Sequence, residues 1–354
     1  MKHACAIVLL FSLLLMGHTQ ATAADNTGYV AAELIHKQQL RYPRHELERG
    51  REGWVRLSWV VDTDGSVTDV VVDDSSGQKY LEKAAIRTVK AYKYKPAMQN
   101  GVPIQQGNNR MLMSFHIERN SNNAAKPDFA AAYKKGRRLI DKGKLKEAEK
   151  VITRLQNRKK WNLYEDAHFW LLKSVYLLSA GQQTEAMDTL AKATFYDKAK
   201  LGPSVRPYLP KKAYIAAMMQ LYLLQVQHQL YRDALNTYKK LKTSYPNTKQ
   251  LQKMQKSADK IIALSRQDSL LQIDGNTSAQ GFWKYQPLRR AFSLADINGK
   301  LDKLVISCSR KVFNVDAEPN RLWRIPESVG ECTICIYGDA DTAFKLYEHP
   351  ANKP

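Results

Sequence analysis

The chain has 354 residues, 44% of them hydrophobic, with 55 Lys and Arg against 34 Asp and Glu, a formal charge of +21. That length and apolar content suit two or three packed domains and exclude a fibrous or wholly disordered chain. The charge is uneven: basic residues outnumber acidic ones 28 to 11 over 126–265, but only 14 to 11 over 29–119 and 12 to 11 over 266–354.

Lys2 precedes an apolar run from Ala4 to Gly17, followed by Ala21-Thr22-Ala23. This reads as a secretory signal peptide, residues 1–23, cleaved before Ala24. The run is shorter than the ~20 residues of a spanning helix; left uncleaved, it would serve as a membrane anchor. Export makes nucleic acid an unsuitable partner. The basic middle would instead meet an acidic partner or an anionic envelope surface, unless it is a solvated lysine-rich face with no specific partner.

The first domain is placed at 28–119. Val30, Leu34 and Ile35 have helical spacing over Val30 to Gln39. Strands are expected over Gly53–Asp62 and Ser66–Asp74. Between them Asp62, Asp64 and Asp69 surround Gly65. A calcium loop would need its glycine at the sixth position and a glutamate at the twelfth; counted from Asp62, the glycine is fourth and the twelfth residue is Asp73. Asp-Gly between valine-rich runs is a hairpin signal, with positive φ expected at both turn residues. A helix follows over Leu81–Tyr92. A third strand is expected over Arg110–Glu118, where Met111, Met113, Phe115 and Ile117 alternate with Leu112, Ser114, His116 and Glu118. The order gives a three-stranded antiparallel sheet with helices packed on one face.

Tyr42-Pro43, Gly53-Trp54-Val55, the Asp-Gly hairpin, Ser75-Ser76-Gly77, Ala84-Ala85 and Tyr94-Lys95-Pro96, in this order, resemble the C-terminal domain of TonB proteins over about 80 residues. The resemblance implies capture of an extended peptide, such as the N-terminal box of an outer-membrane transporter, by β-strand addition in the periplasm of a Gram-negative bacterium. The matching strand would supply Arg110, Met111, Leu112, Met113, Ser114, Phe115, His116 and Ile117. Gln39 and Tyr42 would contact the peptide. Leu112, Ser114 and His116 would select it. The family's force transmission relies on a membrane helix and a proline-rich spacer. Here the chain from Ala24 to Tyr42 has only 19 residues, at most ~65 Å extended. An adaptor is therefore expected, with a membrane-anchored energy transducer for outer-membrane transport as the alternative.

Residues 120–127 read as a flexible linker ending at Pro127. Over 128–267 three echoes, "GKLKEAEKVI", "GQQTEAMDTL" and "HQLYRDALNT", place alanines at Ala148, Ala186 and Ala234. Spacings of 38 and 48 residues suggest irregular helix pairs resembling tetratricopeptide repeats, with a capping helix over Leu251–Leu264. Strand-like runs punctuated by Gly and Pro give a small β-rich domain over 280–349. The fold class is thus α+β followed by helical repeats and a β-rich unit. In an exported chain two of Cys308, Cys332 and Cys335 should pair. Cys308–Cys332 is favoured over Cys308–Cys335, because Cys335, three residues on, faces the other side of its strand.

No catalytic constellation is visible: the eight histidines are scattered, and no metal-ligand spacing, nucleophile elbow or phosphate loop is present. Cys332-x-x-Cys335 has redox spacing but sits in a β-branched run, away from any helix N-terminus that would stabilise a thiolate. A non-enzymatic binding protein without metal, cofactor or small-molecule substrate is expected. A redox or wall-modifying C-terminal unit is the enzymatic rival.

Overall fold

The computed structural model describes residues 28–117, 124–158, 161–196 and 207–350. The expected signal peptide and most of the linker lie outside these residues. Pro127, read as part of the linker, is instead the first residue of a helix, where its fixed φ and missing N–H cost nothing.

The first unit contains β1 (Tyr29–Val30), β2 (Glu33–His36), α1 (Arg44–Glu48), β3 (Gly53–Val61), β4 (Val67–Ser75) and α2 (Lys79–Lys90), then β5 (Lys93–Lys95), β6 (Ala97–Gln99), β7 (Val102–Ile104) and β8 (Gln106–Phe115). The main sheet has the order β4-β3-β8, all antiparallel. Val55, Leu57, Met113 and Phe115 share one face with Leu81, Ala85 and Val89 of α2, forming the unit's core. The helix expected over Val30–Gln39 is not formed. Val30 and Ile35 are 61% and 59% exposed, so no buried face rewards a helix, and the segment pairs as β1 with β6 and β2 with β5. The third strand starts four residues earlier than expected and ends before His116. Asn108, at φ +56°, and a register shift opposite Trp59/Val61 conceal its start in the sequence.

The β3–β4 hairpin is present, but its turn differs from the expected one. Gly65 N–H donates to the Asp62 carbonyl (2.9 Å) and Asp62 N–H to that of Ser66 (2.8 Å). Only Gly65 has positive φ (+80°), which fits a type I turn closed by a left-handed glycine. A Cβ on Gly65 would lie 1.9 Å from the Tyr94 carbonyl oxygen, so the turn also requires glycine for close approach of β5.

The second unit is helical: α3 (Pro127–Asp141), α4 (Leu145–Gln156), α5 (Leu163–Ser179), α6 (Gln183–Ala193), α7 (Lys211–Gln227), α8 (Tyr231–Ser244) and α9 (Lys249–Leu264). The first six form three helical hairpins. Ala148, Ala186 and Ala234 are all completely buried in them, as the echoes require for close helix approach. Each hairpin turns by the same device, with Lys144, Gln182 and Leu230 N–H bonding the carbonyls of Leu139, Leu177 and Gln225 at 2.8–2.9 Å. The left-handed residue before each donor is Gly143, Gly181 and, in the third hairpin, Gln229 (φ +60°).

The third unit packs two four-stranded antiparallel sheets face to face. It begins at Leu271, earlier than the sequence suggested, with β9 (Leu271–Asn276), β10 (Phe282–Tyr285), β11 (Ala291–Asn298) and β12 (Leu301–Cys308). β13 (Val312–Asp316), β14 (Trp323–Arg324), β15 (Cys332–Gly338) and β16 (Ala343–His349) complete it. The sheets run β10-β15-β12-β13 and β14-β11-β16-β9. Cys308 and Cys332 face each other on β12 and β15 and are bonded; Cys335 is a buried free thiol.

Candidate functional site

The second face of the β4-β3-β8 sheet is where the three units meet. Trp54 on β3 belongs to the helical core and stacks on Phe195, centroids 4.7 Å apart and planes within 1°. Its Nε1 donates to Asp166 Oδ2 (2.9 Å), while Trp161 and Trp170 donate to Oδ1 at 2.8 and 3.1 Å. Burial pushes the Asp166 carboxyl up to about 7 despite these three donors. Glu52 adds a second joint: its carboxylate accepts from the Leu163 and Ile117 N–H groups at 3.0 and 2.9 Å. At the other end of the face, the β-sandwich packs Lys284 onto Asp73 and Ser58, and Ser307 Oγ accepts from Asn108 N–H (3.1 Å).

Between these joints lies a cavity of about 880 Å³. Arg110, Leu112 and Ser114 line it from β8, and Arg56 from β3, next to Leu112 in register. The opposite walls come from Phe195, Met218 and Leu221, from Arg232 and Asp233 at the start of α8, and from Leu288 to Arg290 before β11. Met111 also borders it. Successive strand residues point to opposite faces, and Met111 Sδ accepts from Tyr92 Oη on the α2 side. Three consecutive lining residues therefore mean that β8 presents its edge as well as one face. That edge has no strand partner among the described residues.

Asp233 is half-buried by surface area yet lies deep among protein atoms. Burial pushes its carboxyl up to about 6, with Arg110, Lys284 and Arg232 pulling the other way. The cavity's cations mostly bond neutral groups. Arg56 Nη2 donates to the Phe195 carbonyl (2.9 Å), Arg232 to those of Pro287 and Leu288 (3.3 and 3.2 Å), and Arg290 Nη1 to that of Gly330 (2.6 Å).

The residues singled out in the sequence divide into three groups. Arg110, Met111, Leu112 and Ser114 come together at the cavity. Met113 and Phe115 are 5% and 2% exposed, packed towards α2, and can offer only backbone. Tyr42 packs edge-on against Phe115 (5.5 Å), its hydroxyl donating to the Arg51 carbonyl (2.7 Å). Gln39, His116 and Ile117 do not line the cavity. Arg56, Arg232, Arg290 and Asp233 went unnoticed in the sequence, because no local pattern joins residues from three units. Among the described residues no His, Cys, Asp and Glu cluster could hold a metal, and no helix is long and apolar enough to cross a membrane.

Residues 38–112 match the family model described as Gram-negative bacterial TonB protein C-terminal. A relative named Protein TonB, from Vibrio cholerae serotype O1, is 31% identical over 86 residues, 24% of this chain and 34% of that protein. Protein tonB2 of Pseudomonas aeruginosa is 36% identical over 72 residues, 20% and 25% of the two chains. The chain thus spans about a third or less of the length of these relatives. The solution structure of the Pseudomonas aeruginosa TonB CTD is 22% identical over 25% of this chain and 88% of that one, TM-score 0.22. For the Vibrio anguillarum tonb2 protein the values are 27%, 33%, 98% and 0.21. At such TM-scores these two structures do not bear on how the chain is arranged. The likeness to TonB C-terminal domains is a likeness of one segment, which ends within β8.

Proposed function

We propose that the protein is a non-enzymatic adaptor of the Gram-negative envelope that captures an extended peptide of another envelope protein, such as a transporter box, by strand addition to β8. The observation that carries this reading is the free edge of β8 at Arg110 to Leu112, bordering a cavity large enough for several side chains. An unpaired edge offers backbone donors and acceptors in the right geometry, and pockets on one face supply selectivity. The match of residues 38–112 to the TonB C-terminal model supports the same reading. The helical unit and the β-sandwich act as the walls that hold the peptide's side chains. Gln39 and Tyr42 would contribute to the peptide's outer end, and the basic surface of residues 126–265 would meet the acidic partner.

The test is amide hydrogen exchange on the whole chain with and without a synthetic peptide from the N-terminal segment of an outer-membrane transporter. Strand addition slows exchange along Arg110–Ser114. Saturable binding that leaves these amides unchanged refutes it. The likeness of this segment to proteins named TonB also fits an anchored energy transducer. Membrane retention of a species still carrying Met1 to Ala23 would put that account first, whereas a species starting at Ala24 in the periplasmic fraction favours the adaptor.

A further inference from the structure

The last helix of the stack, α9, has two faces of opposite character. Leu251, Met254, Ala258 and Ile261 are buried, three of them in the core shared with Tyr222 of α7 and Leu241 of α8. Lys249, Lys253, Lys256 and Lys260 occupy the other side. At 3.6 residues per turn these four fall within about 60° of one another and span about 16 Å along the axis. All four are exposed, and among the described residues none of them makes an ion pair or a hydrogen bond. Asp259, the only acid on the helix, accepts instead from Gln255 Nε2 (2.7 Å).

The neighbouring helix adds to the row. Lys242 of α8 lies over the Tyr238 ring, 5.8 Å from its centre, and the Tyr238 hydroxyl donates to Gln255 Oε1 of α9. From 234 to 258 the chain has six lysines and no Asp or Glu. The other end of the stack is mixed in sign: Arg137 pairs with Asp141 and Lys144 with Glu147, both at 3.2 Å.

A row of this kind suits one class of partner. Lysine is a compact charge on a flexible stem and lacks the planar fork by which arginine fixes a bonding geometry. A folded acidic protein would need a desolvated anchor beside the charges, whereas the exposed residues flanking these lysines are Gln252 and Ala263. The exposed Ile262 stands about 120° or more from every one of them. A bilayer needs no such anchor, because its anionic headgroups are mobile and gather under a straight row. Each lysine held near such a surface raises binding about fivefold.

We infer that the lysine face of α9 lies on a bilayer surface bearing anionic phosphate headgroups and holds the chain against it by charge. This goes beyond peptide capture at β8 and does not depend on it.

The test floats the whole chain with vesicles of phosphatidylcholine, with and without phosphatidylglycerol, at low and at raised salt. Two variants remove equal charge. One combines Lys249→Gln, Lys253→Gln, Lys256→Gln and Lys260→Gln; the control combines Lys134→Gln, Lys135→Gln, Lys146→Gln and Lys150→Gln. All eight positions are exposed, glutamine is a good helix former, and the melting temperature checks that both variants fold. The apolar run from Ala4 to Gly17 is common to all three proteins and drops out of the comparison. The unaltered chain should bind the phosphatidylglycerol vesicles at least about tenfold more strongly and lose that margin as salt is added. The α9 variant should lose at least about tenfold of this binding and the control less than about threefold. Equal losses in the two variants would mean that net charge alone acts, which overturns the assignment to α9. No preference for the anionic vesicles, or one that raised salt leaves unchanged, overturns the inference in the unaltered chain. Tighter binding of soluble polyglutamate than of the anionic vesicles, lost only in the α9 variant, would replace the lipid with an acidic chain and overturn it as well.

Discussion

Trp54 joins two units through a single side chain, which makes it the sharpest place to test how they are held together. It sits on β3 of the first unit, is 0% exposed, stacks on Phe195 and gives its indole N–H to Asp166 of α5. Trp54→Ala removes a large buried side chain, about 3–5 kcal/mol including the cavity left behind. It also leaves Asp166 with two donors instead of three, a further loss of about 1–3 kcal/mol. The two terms share one site and are not additive, so about 4–6 kcal/mol is expected, a large part of the ~5–15 kcal/mol that holds a typical folded protein. Trp54→Phe keeps most of the stack and removes only the donor, so about 1–3 kcal/mol should be lost. Urea unfolding of the full chain followed by far-ultraviolet circular dichroism measures both. A split of one transition into two in Trp54→Ala would mark uncoupling of the first unit. A loss under about 1 kcal/mol in Trp54→Ala, or equal losses in the two variants, would refute the assignment of this side chain as the joint.

Asp166 carries a pH signature of known sign. Its folded pKa, about 7, lies above the ordinary 3.8 because burial disfavours the charge, so its stabilising contribution is complete below about pH 4 and is lost as pH rises through 7. At about 1.4 kcal/mol per unit the change is at most ~4 kcal/mol; Asp166→Asn, which cannot ionise, should flatten the unfolding free energy across this window relative to the unaltered chain. Gln229 holds the left-handed position that glycine holds in the two other hairpins, so Gln229→Gly should raise stability by about 1 kcal/mol, seen as a rise of a few degrees in melting temperature. Reduction of Cys308–Cys332, 24 residues apart, should cost about 3 kcal/mol in urea unfolding. Cys335 is buried, and burial pushes its thiol pKa up, so iodoacetamide should label it slowly in the folded protein and readily in urea.

What the sequence disclosed was local in origin. The β3–β4 hairpin, α2, the alanine echoes and the cysteine pair each rest on residues within one or two elements, where period and turn chemistry act directly. The failures have equally particular causes. Val30, Leu34 and Ile35 mimic a helical stripe, yet no surface waits to bury it, and pairing with β5 and β6 decides the outcome. The start of β8 hides behind polar Gln106, Asn108 and Asn109, whose strand state is imposed by β3 and by contacts with Ser307. Of the candidate peptide-binding residues, Arg110 to Leu112 and Ser114 could be found from the resemblance. Arg56, Arg232 and Arg290 could not, since their meeting depends on how three units dock.

The sheet has two outer strands, and they differ in regularity, which bears on the proposal that one of them accepts a fourth strand. β4 slips register against β3 twice, between Arg56/Leu57 and between Ser58/Val60, and Asp69 on it takes φ +47°. Bulges of this kind twist an edge and interrupt its row of donors and acceptors, which is how sheets protect an edge from unwanted pairing. Asp73 and Asp74 on β4 are engaged besides, by Lys284 and Lys192 of the other units. β8 pairs with β3 without a break from Asn109 to Phe115, so its free edge over the same stretch keeps an even spacing of backbone groups. The other two units leave their cavity beside that edge, and their joints fasten on the sheet face around it. The chain therefore interrupts the β4 edge with bulges and leaves the β8 edge regular from Asn109 to Phe115, with the arginines of the cavity beside it.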